Sequence, residues 1–159
     1  MSNPHKPWTG DPLCYLGTPY TRYPCGLQRA FIDACKLAGR LLRTSAIKVY
    51  SPIAHTHPIA IHGDIPAHDH AIWLPFDALM MARCDILLVA HMDGWAESKG
   101  IAHEIEVFTQ ARKPIFALDP TTLMMARHST PPLESPEDSA LDAGVPTAPA
   151  DADWTLQTR

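Results

Sequence analysis

The chain has 159 residues, 46% of them hydrophobic, and a formal net charge of -4, which suits one domain that folds without a metal or a disulfide framework. Its basic residues are scattered rather than gathered in a stripe, which argues against duplex nucleic acid as a partner, whereas a small anion needs only a cation or two and some backbone amides. Cys14, Cys25, Cys35 and Cys84 form no CxxC or zinc-ribbon pair, and no stretch reads as a signal peptide or membrane span, so a cytoplasmic protein with no membrane partner is expected.

Residues 1–11 are polar and proline-containing and read as a flexible arm ahead of an α/β domain over 12–129. Leu13-Cys14-Tyr15-Leu16-Gly17 is a short apolar run stopped by glycine, which predicts a buried strand. From Gly26 to Arg43 apolar residues recur at helical spacing: Leu27, Ala30, Phe31, Ala34, Leu37, Ala38, Leu41 and Leu42. Residues 47–50 predict a second strand, ended by Ser51-Pro52. Residues 53–69, with prolines, a glycine and many histidines, read as a long loop of the kind that binds or covers ligands.

A helix is expected from Ala71 to Arg83, with Pro75 near its start. Cys84 to Ala90 is the strongest strand, followed by a turn at Asp93-Gly94-Trp95, a helix over 98–112 and a strand over 113–118. Strands alternating with helices predict a parallel sheet covered on both faces, a three-layer sandwich. From residue 130 to 159 the composition turns to Pro, Ala, Asp, Ser and Glu, which reads as a loosely packed or disordered tail.

Two acids stand where leucines are expected. At about 100° per residue, Ile101, Ile105, Val107, Phe108 and Ala111 form one apolar arc, and Glu104 falls inside it. In the preceding helix Trp73, Leu74, Phe76, Leu79, Met80 and Met81 make a similar arc around Asp77. An ionised carboxylate on a buried face is costly unless paired or used. Each acid lies within two turns of its helix start, at the rim where open parallel sheets bind ligands. One carboxylate attacking an anomeric carbon while a second group manages the leaving base is chemistry that needs such a pair. The structural alternative has Glu104 pairing with Arg83 or Arg112 and Asp77 capping a turn.

Ser98 and Gly100 open the Glu104 helix. A serine N-cap, free amides and a glycine suit a phosphate or a sugar hydroxyl, and equally suit a plain helix cap. Gly17, Tyr20 and Arg22, in Gly17-Thr18-Pro19-Tyr20-Thr21-Arg22 after the first strand, offer a glycine turn with aromatic and basic groups for sugar, base or phosphate.

Three stretches together resemble the nucleoside 2-deoxyribosyltransferase superfamily, most closely its nucleotide N-glycosidase branch and a related bacterial and phage family without assigned function. They are Tyr15-Leu16-Gly17, then Asp77 followed by Cys84-Asp85-Ile86-Leu87-Leu88-Val89, and Ser98-Lys99-Gly100-Ile101-Ala102-His103-Glu104. The likeness covers roughly residues 12–118. It implies a flavodoxin-like, Rossmann-like fold, Glu104 as nucleophile, Asp77 assisting the leaving base, Ser98 touching a 5′-phosphate, and a homodimer or larger assembly. Tyr15 joins the two acids as a catalytic candidate. The loop 18–22 and the segment from Pro52 to His70 depart from the family's usual versions, so sugar, phosphate and base preference do not carry over.

His55, His57, His62, His68 and His70 crowd one segment beside Asp64 and Asp69. Imidazole and carboxylate are transition-metal ligands, but the prolines and glycine among them favour pocket lining, so no metal and no cofactor is expected. His55 and His57 become substrate-binding candidates, with Trp73 and Trp95 as platforms for a base. The expected activity is cleavage or transfer at the N-glycosidic bond of a nucleoside or nucleoside 5′-monophosphate. The alternatives are a metal-dependent hydrolase built on the histidines and a nucleotide sensor without turnover.

Overall fold

The computed structural model describes residues 6–45 and 47–128. The sequence-predicted tail over 130–159 and residues 1–5 of the arm therefore lie outside the described residues. The elements run β1 (Cys14–Gly17), α1 (Leu27–Thr44), β2 (Val49–Tyr50), α2 (Pro52–His62), α3 (His70–Arg83), β3 (Ile86–Ala90), α4 (Lys99–Gln110), β4 (Ile115–Leu118) and β5 (Met125–Arg127).

The five strands form one sheet in the order β2-β1-β3-β4-β5. The first three pairings are parallel, with Tyr15 opposite Leu87 and Leu88 opposite Phe116, and β5 joins β4 antiparallel. The fold is thus of the flavodoxin-like, Rossmann-like α/β class, with a final strand that reverses. From β1 the chain moves outward to β2 and then returns to the other side of β1 for β3. The strand order reverses there, and the crevice beyond the carboxyl ends of β1 and β3 is where such sheets take ligands.

Side chains alternate between the faces of a strand, and that alternation builds two cores. Cys14, Leu16, Leu88 and Leu118 pack with Leu37 and Leu41 of α1. Tyr15, Leu87 and Val89 pack on the opposite face with Ile101 and Phe108 of α4 and Met81 of α3. Gly17 shares the parity of Tyr15, so it lies beneath α4.

Two expectations need correction, and one strand was not expected. The segment 53–69 is not a loop throughout, because its first part is α2. Ser51 caps that helix, its side chain accepting from Ala54 N at 3.4 Å, and Pro52 occupies the first turn, where its missing N–H costs nothing. Pro58 forgoes one intrahelical bond, while His57 and Ala60 are buried.

The apolar arc around Asp77 is narrower than expected. Only Met81 of α3 is fully buried, whereas Leu74 and Leu79 are exposed, Leu79 by 54%. The inward line is Trp73, Asp77 and Met81, spaced four residues apart along one helix face. The unexpected strand is β5, a three-residue edge strand without alternation. Its hairpin is set by Asp119, whose Oδ1 accepts from Thr121 N at 2.7 Å and Thr122 N at 3.0 Å.

Lysine 113 ties the two acid-bearing helices together. Its Nζ donates to the carbonyls of Met81, Ala82 and Cys84 at 3.0, 2.8 and 2.7 Å, closing the end of α3. Among the described residues no helix is long and apolar enough to cross a membrane.

Candidate active site

A cavity of about 370 Å³ opens at the strand-order reversal. Its walls come from the β1–α1 loop (Thr18 to Arg22), α2, the segment 67–70, α3 (Trp73, Leu74, Asp77), and the approach and first turns of α4. Both carboxylates reach it.

Glu104 projects from the second turn of α4 toward the sheet. Its Oε2 is buried and has no hydrogen-bond partner among the described residues. Neither Arg83 nor Arg112 pairs with it, and Arg112 turns away after the helix with φ of 54°. The carboxylate has room because residue 17 is glycine: a Cβ there would overlap Glu104 Oε2. Burial pushes the Glu104 carboxyl up to about 8, the neighbouring charge of Asp77 adds to the rise, and the Tyr15 hydroxyl, directed at the same carboxyl, opposes it.

Asp77 repeats the pattern from α3. Its Oδ1 is buried without a partner and caps no turn. Burial raises its carboxyl to about 6, against the pull of positive charge on His103 and His55. Tyr15 is 1% exposed and packs between Tyr50 and Phe108, with centroids at 5.7 and 5.9 Å. Burial, then the charges of Glu104 and Asp77, push its hydroxyl far above the ordinary phenol range, so it stays protonated.

A second group of cavity residues surrounds the start of α4. Ser98 caps α4, its Oγ accepting from Ile101 N at 3.4 Å. Lys99 and Gly100 begin the helix and line the cavity, and amides at that position have no intrahelical acceptor. A Cβ on Gly100 would come no closer than 3.8 Å to another protein atom, Ser98 Oγ. No protein neighbour requires glycine there, and glycine costs about 1 kcal/mol relative to alanine inside a helix. Arg22 supplies a cation from the β1–α1 loop, and Thr18 Oγ1 of the same loop is buried without a hydrogen-bond partner among the described residues.

Of the residues singled out from sequence, Glu104, Asp77, Tyr20, Arg22, His57, Trp73, Ser98 and Gly100 line the cavity. Tyr15 and Gly17 do not; they stand behind Glu104 and shape its position. His55 is not a lining residue, because its ring stacks on Phe76 at 5.5 Å. Trp95 is likewise lost as a base platform, lying flat on His91 at 3.9 Å. Trp73 faces the cavity, with its Nε1 donating to Pro66 O at 2.9 Å.

The histidines disperse: His57 is buried inside, His68 and His70 line the rim, and His55 points to α3. Among the described residues no three His, Cys, Asp or Glu side chains gather as a metal-binding group. Sequence reasoning missed Thr18, Lys99 and Gln28, whose amide holds His57 at 3.0 Å. Lys99 was recoverable from its place after the cap. Gln28 carries no signal, since its partner lies 29 residues away.

Residues 13–119, from β1 to just past β4, match the family described as a domain of unknown function, DUF1937. The chain belongs to that family. The matched span contains Tyr15, Gly17, Asp77, Ser98 and Glu104, so the whole cavity is part of the family domain. No curated protein matches the chain.

Proposed function

We propose that this DUF1937 chain cleaves or transfers the N-glycosidic bond of a nucleoside or nucleoside 5′-monophosphate through a glycosyl ester on Glu104. The observation that carries the reading is a buried carboxylate with one oxygen unpartnered among the described residues, Glu104, given space by Gly17 and standing with a second such acid, Asp77, in a cavity of ligand size. The resemblance of the Tyr15, Asp77 and Ser98–Glu104 stretches to the nucleoside 2-deoxyribosyltransferase superfamily supports the same assignment.

With affinities for protons near 6 and 8, the two carboxyls share one proton around neutrality. Glu104, with the higher affinity, holds it in most molecules, and the reactive form is the minor one that carries it on Asp77. Glu104 attacks C1′ of the sugar and the bond from C1′ to the base nitrogen breaks. The proton of Asp77 passes to the departing nitrogen, leaving a sugar ester on Glu104. Water, or a second base, then displaces Glu104 from C1′ and returns a proton to Asp77. Tyr15 keeps its proton and holds the Glu104 carboxylate in line by hydrogen bonding.

The first turn of α4, with Ser98, Lys99 and Gly100, and Arg22 are suited to a 5′-phosphate, and Trp73 to the face of a base. A homo-oligomer fits the apolar residues left exposed on α2 and α3, among them Ile61, Ile72, Leu74 and Leu79. A cytoplasmic setting fits four free cysteines.

The test is base release from a panel of nucleosides and nucleoside 5′-monophosphates, with and without an acceptor base, followed chromatographically. Release is expected from the intact chain, lost in Glu104→Gln and indifferent to chelator. Release that survives in Glu104→Gln, or disappears with chelator, contradicts the proposal.

A further inference from the structure

Tyr20 projects into the cavity from the β1–α1 loop, and its hydroxyl is not free. It lies 2.7 Å from Nδ1 of His57, whose Nε2 lies 3.0 Å from Gln28 Oε1. The imidazole between them is 4% exposed and stacked on Phe31 at 4.6 Å with 20° between the planes. Burial lowers the proton affinity of His57, which keeps the ring neutral.

A neutral imidazole has one N–H and one lone pair. A carbonyl oxygen only accepts, so the hydrogen facing Gln28 is on Nε2. The lone pair is then on Nδ1, and among the described residues the group that fills it is the Tyr20 hydroxyl. Tyr20 therefore gives its single proton to His57, and the oxygen keeps only lone pairs for anything bound in the cavity.

We infer that Tyr20 is a specificity-determining residue of this cavity, a hydrogen-bond acceptor of fixed polarity that selects a ligand carrying a hydroxyl or amino donor at that point. The same polarity repels a phosphate or carboxylate oxygen from Tyr20, which leaves any anion to Arg22 and the start of α4. This rests on the nucleotide reading above and refines it: the group read by Tyr20 is a sugar hydroxyl or an exocyclic amine of the base. Gln28 acts as a positioning residue, since it fixes the tautomer without touching the ligand.

Two measurements test the inference. Long-range proton–nitrogen NMR on the ¹⁵N-labelled full chain, with His57 assigned by signal loss in His57→Phe, is expected to show hydrogen on Nε2. Hydrogen on Nδ1 overturns the assignment, and this result needs no ligand. In the second, nucleoside 5′-monophosphates paired to differ in the group at one position (6-amino against 6-oxo purine, sugar hydroxyl against hydrogen) are titrated into wild type, Tyr20→Phe and Gln28→Leu. Wild type is expected to favour the donor-bearing member of one pair by about tenfold. Tyr20→Phe should erase that preference, and Gln28→Leu should weaken it with the phenol still present. A preference for the acceptor member, or discrimination unchanged in Tyr20→Phe for every pair, refutes the inference. If no nucleotide binds at all, the nucleotide reading fails, and the tautomer of His57 by itself upholds or overturns the acceptor assignment.

Discussion

Replacing Glu104 with glutamine keeps the shape of the side chain and removes its ionisation, which makes the cost of burying the acid measurable. The folded carboxyl titrates at about 8 against an ordinary value of 4.5, chiefly through burial. Below the ordinary value the acid is protonated in both folded and unfolded chains, so it contributes no pH dependence. Between the two values the unfolded chain ionises while the folded one holds its proton, and native stability falls as pH rises. Each pH unit inside that window removes at most about 1.4 kcal/mol, so an unrelieved shift would amount to about 3 kcal/mol at pH 7. Glu104 lines the cavity and is only partly buried as a residue, which relaxes the penalty, and about 1–2 kcal/mol is the expected gain for Glu104→Gln at neutral pH. For a chain of this length that is a rise in melting temperature of about 2–8 °C. Thermal unfolding of both proteins from pH 4.5 to 8.5 should show curves that coincide at the acid end and separate steadily above it. A gap that is constant with pH, or a wild type more stable than the variant at pH 8, would refute the burial argument.

The same two carboxyls set the activity profile. Turnover measured as kcat/KM should rise through about pH 6, where Asp77 and Glu104 cease to be both protonated, and fall through about pH 8, where both are ionised; a profile flat across that range contradicts a shared proton. Gly17→Ala should reduce base release by about a hundredfold or more by displacing Glu104, and retention of full activity would show that the carboxylate does not need its present position. Lys113→Met strips the last carbonyls of α3 of their donor and should cost about 1–3 kcal/mol in urea unfolding; no loss would mean that solvent replaces the ammonium freely.

The sheet was legible where burial was complete. Residues 86–90 are buried on both faces and read as a strand without ambiguity, and α1 and α4 showed clear helical spacing because each covers one face of the sheet. Legibility failed where local chemistry overrode composition. Proline 58 and the histidines disguised α2, whose helix is set by the Ser51 cap and by burial of His57. At three residues, β5 is too short to carry a pattern, and its pairing depends on an Asp119 turn.

The site divides in the same way. An acid inside an apolar arc is a signal that sequence periodicity carries, which is why Glu104 and Asp77 could be found. Orientation within a pocket is not carried by periodicity. His55 and Trp95 had suitable chemistry but were claimed by Phe76 and His91, and the bond from Gln28 to His57 spans elements that only the fold brings together.

The most direct test of the glycosyl-ester account is mass spectrometry of the acid-quenched chain after incubation with a 2′-fluoro nucleoside 5′-monophosphate, whose electron-poor sugar slows release of the ester. A mass increase equal to one sugar phosphate is expected on the peptide containing Glu104, and it should be absent from Glu104→Gln. An adduct on any other residue, or base released at full rate by Glu104→Gln, would contradict the account.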